Sequence, residues 1–268
     1  MNQSYIRLDV LLTAKKLADS RSRAQEMIRS GVVFVDGKCC DKPSASFPEN
    51  TEPEIRGDFC PYVSRGGLKL QKALEVFGID PCGYVCSDSG ASTGGFTDCL
   101  LQHGAKKVYA IDVGTGQLAD KLRRDPRVMA MEQTNIRYLT PEALGEHLDF
   151  SVVDVSFISL QLVLPAIYGL LKEEGQAVCL IKPQFEAGKA HVGKKGVVKD
   201  RKVHKRVLDE FLLYTDLMGF SVQGLTFSPV TGPEGNIEFL GYLKKTKGRG
   251  LRPDTEAVVA SAHAHLKG

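Results

Sequence analysis

The stretch SDSGASTGGFTDCL, residues 87–100, follows a short apolar run and leads into a helical pattern. Gly90, Gly94 and Gly95 punctuate it and Asp88 precedes them, the layout of a ligand-binding turn between a strand and a helix. A phosphate-gripping P-loop would need a Lys-Ser/Thr pair here, and there is none. A dinucleotide fold would need G-x-G-x-x-G, but Ser92 stands where the second glycine belongs. The turn therefore offers close backbone approach with no provision for phosphate.

On either side the chain alternates helical stretches with short apolar runs. GGLKLQKALEVFGI reads as a helix feeding the strand GYVCSDSG. KVYAIDVG, RVMAMEQ, FSVVDVSF and QAVCLIKPQ follow as strands, separated by helical stretches such as LQLVLPAIYGLLKEEG. After the helix RKVHKRVLDEFLLYTDLMGF come two strands without an intervening helix, SVQGLTFSPV and NIEFLGYLKK. Such alternation predicts an α/β domain with a doubly wound parallel sheet, and the last pair predicts one antiparallel edge. Ligands of such sheets lie beyond the carboxyl ends of the strands. Asp112, at the end of the second strand, lies about 20 residues past the glycine turn, the offset at which a carboxylate accepts from ribose hydroxyls. Asp88 favours a cationic ligand by the sign of its charge. S-adenosylmethionine, an adenosine bearing a sulfonium and no phosphate, fits both; a purely structural glycine turn would carry the same spacing. Asn135, just after the third strand, stands where it can touch an adenine, although Asn is also an ordinary turn residue.

The first 60 residues are of another kind. YIRLDVLLTAKKL spaces Leu8, Leu11, Leu12 and Leu17 as one helix face. DSRSRAQEMIRSG opens with the capping candidates Asp19 and Ser20, aligns Ala24, Met27 and Ile28, and stops at Gly31. VVFVDGKCC alternates around Asp36-Gly37, a hairpin signal. DKPSASFPENTEPEIRGD, rich in Pro, Ser and acidic residues, reads as loop and linker. The expected organisation is a small α+β domain over 1–60 and a large α/β domain over 61–268.

The 268 residues carry a net charge of only +3, but it is unevenly spread. Residues 182–206 hold nine Lys/Arg against two Asp/Glu, and residues 1–47 hold eight against five. Basic clusters of this sort suit the phosphates of a nucleic acid as well as they suit an ordinary solvated face. Arg7, Arg21, Arg23, Lys38 and Lys42 in the first module, and Lys194 and Lys195 after the fifth strand, are the candidate RNA contacts. The seven cysteines lack metal-ligand rhythm and read as reduced thiols. His103, His191 and His204 have no partner at ligand spacing and receive no role. Arg7 and Asp9 interrupt the apolar start, which argues against a signal peptide, and no apolar run spans a bilayer, so a cytoplasmic protein is expected.

Longer motifs bring a resemblance. RLDVLLTAKKLADSRSRAQEMIRSGVVFVDGK, YVSRGGLKL, DSGASTGGFTDCLLQHGAKKVYAIDVG, VVDVSFISL, IKPQFEAG and GPEGNIEFL are similar to the TlyA family of ribosomal RNA 2′-O-methyltransferases, historically labelled haemolysins. The N-terminal stretch resembles the alpha-L RNA-binding motif, and the remainder resembles the FtsJ-type, Rossmann-like methyltransferase domain. The resemblance implies S-adenosylmethionine as donor and ribosomal RNA or ribosomal subunits as substrate, with cytidine as target. It also implies a catalytic tetrad of Lys69, Asp154, Lys182 and Glu238. The glycine loop departs from the FtsJ pattern, since Ser92-Thr93 replace Ala-Pro and Phe96 replaces a Trp. The expected cofactor set is thus Asp88, Gly90, Ser92, Gly94, Phe96, Asp112 and Asn135, with no metal.

Strand order alone explains part of the tetrad. Asp154 and Lys182 end apolar runs that become neighbours in such a sheet, which suits a structural ion pair as well as a catalytic one. In the catalytic reading, Lys182 accepts or orients the hydroxyl proton, Asp154 and Glu238 orient Lys182, and Lys69 adds positive field. Two rival readings are a non-catalytic RNA-binding assembly factor and a membrane-active haemolysin. The intact tetrad argues against the first, and the lack of a spanning segment against the second.

Overall fold

The computed structural model describes residues 4–18, 20–29, 31–57, 60–232, 234–248 and 250–266. The chain divides into two compact units, Met1–Pro61 and Tyr62–Gly268.

The first unit contains β1 (Tyr5–Arg7), α1 (Leu8–Ala14), α2 (Arg21–Arg29), β2 (Val33–Val35), β3 (Lys38–Cys39), β4 (Ser46–Pro48) and β5 (Glu54–Ile55). Leu8, Leu11, Leu12, Ala24, Met27 and Ile28 form its core with Val33 and Val35. Ser20 Oγ accepts the N–H of Arg23 at 3.2 Å at the start of α2; the other capping candidate, Asp19, lies outside the described residues. Asp36 and Gly37, with φ of 51° and 75°, make the turn between β2 and β3, both in the left-handed region that a two-residue hairpin favours.

Three expectations for this unit are corrected. Tyr5–Arg7 is a strand paired with β4, because the helical apolar rhythm begins only at Leu8. Leu17 falls beyond α1 and is 37% exposed. The segment read as loop and linker supplies β4 and β5, and β5 pairs with β2 through Val33 and Ile55. Strands of two or three residues are too short to show alternation within a Pro- and Ser-rich stretch.

The second unit runs α3 (Gly66–Phe77), β6 (Val85–Ser89), α4 (Gly95–Gln102), β7 (Lys107–Ile111), α5 (Asp120–Arg123), β8 (Val128–Met131), α6 (Pro141–Leu144), β9 (Leu148–Val153), α7 (Leu164–Leu170), β10 (Leu171–Ile181), α8 (Pro183–Glu186), α9 (Arg201–Leu217), β11 (Ser221–Phe227), β12 (Phe239–Lys244) and α10 (Thr255–His265). One seven-stranded sheet has the order β11-β12-β10-β9-β6-β7-β8. Strands β8, β7, β6, β9 and β10 are parallel, and β12 is antiparallel to both β10 and β11. The helix-free pair β11–β12 thus forms the antiparallel edge expected from the sequence, with β11 outermost and β12 joining it to β10. Alternate residues such as Ile111, Val153, Ile181 and Phe239 share a core with Ile167 of α7, Phe211 of α9 and Val259 of α10. On α10 the side chain of Asp254 caps the helix by accepting from Ala257. No element was expected after Lys245. The stretch LQLVLPAIYGLLKEEG is helical only to Leu170, because Leu171 already pairs with Leu148.

This topology puts four residues on one edge of the sheet. Gly90, Asp112, Asp154 and Lys182 are each the first residue beyond a parallel strand, and Glu238 enters β12 where Phe239 faces Ile181.

Candidate active site

Gly90 turns with φ 88°, and a Cβ there would fall 2.4 Å from the backbone oxygen of Asp154. Only glycine lets the ends of β6 and β9 come this close. Gly94 starts α4 with φ 95°, and a methyl on it would strike Leu122. Gly67 and Gly95 do the same for helix packing. A Cβ on Gly67 would lie inside the Tyr62 ring, and one on Gly95 would lie 2.9 Å from the Gly67 nitrogen. The starts of α3 and α4 thus meet at backbone distance, which brings Lys69, one turn into α3, to the strand ends.

Two cavities open along these ends and share Gly90, Ser92 and Asp154. One, of about 490 Å³, is walled by Ser64, Arg65, Gly66, Lys69, Asp88, Phe96 and Thr231. The other, of about 480 Å³, is walled by Asp112, Gln117, Asn135, Ile136, Val155 and Phe157. The shared residues make them two arms of one cleft.

Asp88 is 1% exposed. Its Oδ2 accepts from Thr97 N at 2.9 Å and from Thr97 Oγ1 at 2.7 Å, while its buried Oδ1 has no partner. Burial, reinforced by the negative charges of Asp154 and Asp112, pushes its carboxyl up to about 7 despite the Thr97 bonds. Asp112 accepts from Gly114 N at 2.7 Å and from Ser92 N at 2.8 Å, so it fixes the glycine loop while lining the second arm. Asn135 accepts from Arg137 N at 3.1 Å and caps a short 3₁₀ turn, with its amide on the same arm. Phe96, 3% exposed, closes the first arm.

The four tetrad residues form two ion pairs. Lys182 Nζ lies 2.5 Å from Asp154 Oδ1 and donates to Ser156 Oγ at 2.9 Å. Lys69 Nζ lies 2.6 Å from Glu238 Oε2, and Gln184 Nε2 donates to Glu238 Oε1 at 3.4 Å. The expectation that Glu238 orients Lys182 is corrected, since its carboxylate holds Lys69 instead. Lys69, Lys182 and Glu238 are all buried. A buried charge needs a partner, and each lysine here has its own carboxylate.

Sequence reasoning missed several wall residues. Ser64, Arg65 and Gly66 belong to YVSRGG, whose paired glycines at a helix start were the available signal. Phe157 sits at φ 64° and is 90% exposed, 5.1 Å from the Phe185 ring, and nothing in its local sequence announces this. Glu186 accepts from Ser159 Oγ at 2.6 Å and Leu160 N at 2.8 Å, tying the Phe157 loop to the segment after Lys182.

The candidate RNA contacts are scattered. In the first unit Arg7 and Arg21 both bond Asp9, at 3.0 Å each, and Gln25 adds a bond at 2.7 Å. Asp9 is fully buried, and these donors hold its carboxyl well below the usual range. Arg23 lies 4.0 Å from Glu26, and Lys38 and Lys42 are exposed. In the second unit Lys194 and Lys195 are exposed. His204 is buried against His263, and His191 accepts from Arg206. Among the described residues no group of three His, Cys, Asp or Glu could hold a metal ion, and no helix is long and apolar enough to cross a membrane.

Comparison with known proteins agrees with this architecture. Residues 62–245 match the model of the FtsJ-like methyltransferases, and residues 6–51 match the S4 domain. Bacillus subtilis YqxC, provisionally named an rRNA methyltransferase, is 47% identical over 100% of this chain and 97% of its own. The 16S/23S rRNA (cytidine-2′-O)-methyltransferase TlyA of Mycobacterium tuberculosis is 45% identical over 91% of this chain and 92% of its own. A solved Streptococcus thermophilus structure, provisionally labelled a hemolysin, is 45% identical over 99% of this chain and 98% of that one, with a TM-score of 0.77. Such likeness along nearly the whole length places the chain in the TlyA family, FtsJ-like methyltransferases that carry an S4 domain ahead of the catalytic one.

Proposed function

We propose that this protein methylates the 2′-hydroxyl of a cytidine ribose in ribosomal RNA, with S-adenosylmethionine as donor, in the cytoplasm. The observation that carries the proposal is the pairing of Lys182 with Asp154, which lines both arms of the cleft, and of Lys69, which lines the first arm, with Glu238.

The cleft suits the proposed donor. Its walls present Asp88, Asp112 and Asp154 but no lysine in the glycine turn, so it favours a cation and disfavours a pyrophosphate. The unpartnered Asp88 Oδ1 is a buried polar atom on the wall of the first arm, left for a donor group of the ligand to satisfy. Asp112 and Asn135 would hold the adenosine, and Gly90, which lines both arms, admits it at backbone distance; Gly94 lines neither arm and serves the packing of α4 against Leu122. When bound, the donor supplies an electrophilic methyl group on a positively charged sulfur.

The chain's own residues act on the acceptor. The ribose hydroxyl loses its proton as the new carbon–oxygen bond forms, and Lys182 is the group placed to orient that hydroxyl and, as the neutral amine, to take the proton. Asp154 and Ser156 fix the direction of the lysine arm. Lys69, held by Glu238, lends positive charge next to the ribose-phosphate. Much of the acceleration comes from holding acceptor and donor in line, which converts an encounter into a positioned reaction. Phe157 presents an exposed ring at the mouth of the cleft, on which an unstacked base can rest. The basic segment after Lys182, together with the S4 domain, neutralises backbone phosphates.

The test is to map ribose methylation in ribosomal RNA from subunits incubated with the donor and either wild-type protein or Lys182→Arg. Wild-type protein should produce a donor-dependent 2′-O-methylcytidine. The variant should lose about 10²-fold or more, the usual share of a positioned base, because guanidinium does not give up its proton. Near-normal single-turnover rates for Lys182→Arg would reduce Lys182 to electrostatic orientation. No methylated ribose with wild-type protein would sink the proposal.

A further inference from the structure

Beyond Lys182 the chain makes a basic excursion whose return is gripped at a single buried residue. Val198 is 1% exposed; its N–H donates to Asn236 Oδ1 at 3.0 Å, and its carbonyl meets His204 Nε2 at 3.1 Å. A carbonyl only accepts, so His204 carries its proton on Nε2 and takes a bond on Nδ1 from His263 Nε2, 2.9 Å away on α10. Burial pushes His204 down to about 4, so this grip keeps one protonation state across the neutral range.

Asn236 is used a second time. Its Nδ2 donates to the carbonyl of Gly196 at 2.9 Å, and Gly196 closes a tight turn by donating its own N–H to Gly193 at 2.8 Å. A further bond, from Gly193 N to Val197 O at 3.1 Å, cinches the base of that turn. Its two corner residues are Lys194 and Lys195, both exposed. Neither has a carboxylate partner among the described residues, whereas Lys205 and Arg206 on α9 are paired with Asp209 and Glu210. Asn236 is also tied to a neighbour of the cleft wall through its own backbone. It lies two residues before Glu238, the partner of Lys69, and its carbonyl accepts from Gly232, next to the cavity residue Thr231.

We propose that Asn236 is a positioning residue that locks the Lys194–Lys195 turn to the strand entry carrying Glu238, so that the turn is a preformed clamp for RNA phosphates flanking the acceptor nucleotide. The inference rests on the ribose-methylation reading given above. Two lysines on a floating loop would have to be ordered at each encounter, and that ordering would weaken binding. A 3%-exposed amide that satisfies one N–H and one carbonyl of the same excursion removes the cost in advance.

The experiment is a double-mutant cycle in the full chain, with ribosomal subunits as substrate, between Asn236→Ala and the pair Lys194→Ala, Lys195→Ala. Asn236→Asp serves as a second, isosteric variant: it keeps an acceptor for Val198 and the shape of the site but cannot donate to Gly196. Expected for Asn236→Ala is a rise of about tenfold in KM for subunits, matching the loss of a buried hydrogen-bonding amide, with kcat and calorimetric donor affinity within about twofold. In the background lacking both lysines, Asn236→Ala should raise KM little further, because the turn has nothing left to present. Asn236→Asp should raise KM in the same direction. Additive KM penalties, or donor affinity falling in step with RNA affinity, would overturn the clamp and leave Asn236 a residue of general stability. Wild-type protein is assayed alongside: absence of methyl transfer there would tell against the enzymatic reading itself, whereas normal transfer with an unchanged KM for Asn236→Ala would tell against the clamp alone.

Discussion

Asp88 combines full burial, one oxygen bound to Thr97 and another with no partner, and a carboxyl pushed up to about 7. In an unfolded chain the same carboxyl ionises near pH 4. Between about pH 4 and 7 the folded protein therefore holds a proton that the unfolded chain has released. The contribution of Asp88 to stability is full below pH 4, falls through that window, and is lost above 7. Asp88→Asn removes the dependence, so its melting temperature should exceed that of the wild type by more at pH 8 than at pH 5. Because an ionised Asp88 suits a cationic donor, wild-type donor affinity should rise from pH 6 to 8, and Asp88→Asn should bind the donor weakly at both. Thermal scans and calorimetry at the two pH values check this. An equal melting shift at pH 5 and pH 8 would mean that Asp88 is ionised throughout.

At the scale of elements, the junction of β6, the glycine turn and α4 sets the cleft. Alanine at Gly90 would be strained at φ 88° and would press on the Asp154 carbonyl, a backbone atom that cannot swing away. Left-handed strain costs about 1–2 kcal/mol and overpacking about 1–3 kcal/mol. Gly90→Ala should thus lower stability in urea by about 2–5 kcal/mol and weaken donor binding, because β9 and with it Asp154 must move. A loss below about 0.5 kcal/mol would show that the strand ends yield easily. This junction was legible in the sequence because the ends of β7, β9 and β10 are buried apolar runs, and because each run ends at the residue that matters. Asp154 and Lys182 could be placed side by side for that reason. The ion-pair partners were not legible. Glu238 reaches Lys69 only because α3 and α4 pack at backbone distance through Gly67 and Gly95, a tertiary fact that no local rhythm records. Phe157 escaped as well, since nothing in VSFIS marks a left-handed phenylalanine. In the first unit, β1, β4 and β5 rest on two or three residues each, below the length at which alternation shows. The position of β12 inside the sheet follows from its pairing on both sides, whereas its sequence reads like any edge strand.

For the molecule as a whole, the proposed RNA contact is divided between two charge clusters of different construction. In the first unit Arg7 and Arg21 are held by the fully buried Asp9, which fixes two guanidinium groups on the surface of a module with its own core. In the second, Lys194 and Lys195 stand on a closed turn. Both units bury a separate hydrophobic cluster, so removal of residues 1–61 should leave the second folded and its donor affinity within about twofold of the full chain. RNA affinity should fall, and the slope of log affinity against log salt should become shallower by roughly 0.7–0.9 for each phosphate contact removed. With Arg7, Arg21 and one lysine of β3 or its flank in contact, the change would amount to about 2–3 units of slope. Filter binding of a ribosomal RNA fragment across a salt series, with the full and shortened chains, measures it directly. An unchanged slope would assign the phosphate contacts to the segment after Lys182 and leave the first unit recognising shape without charge.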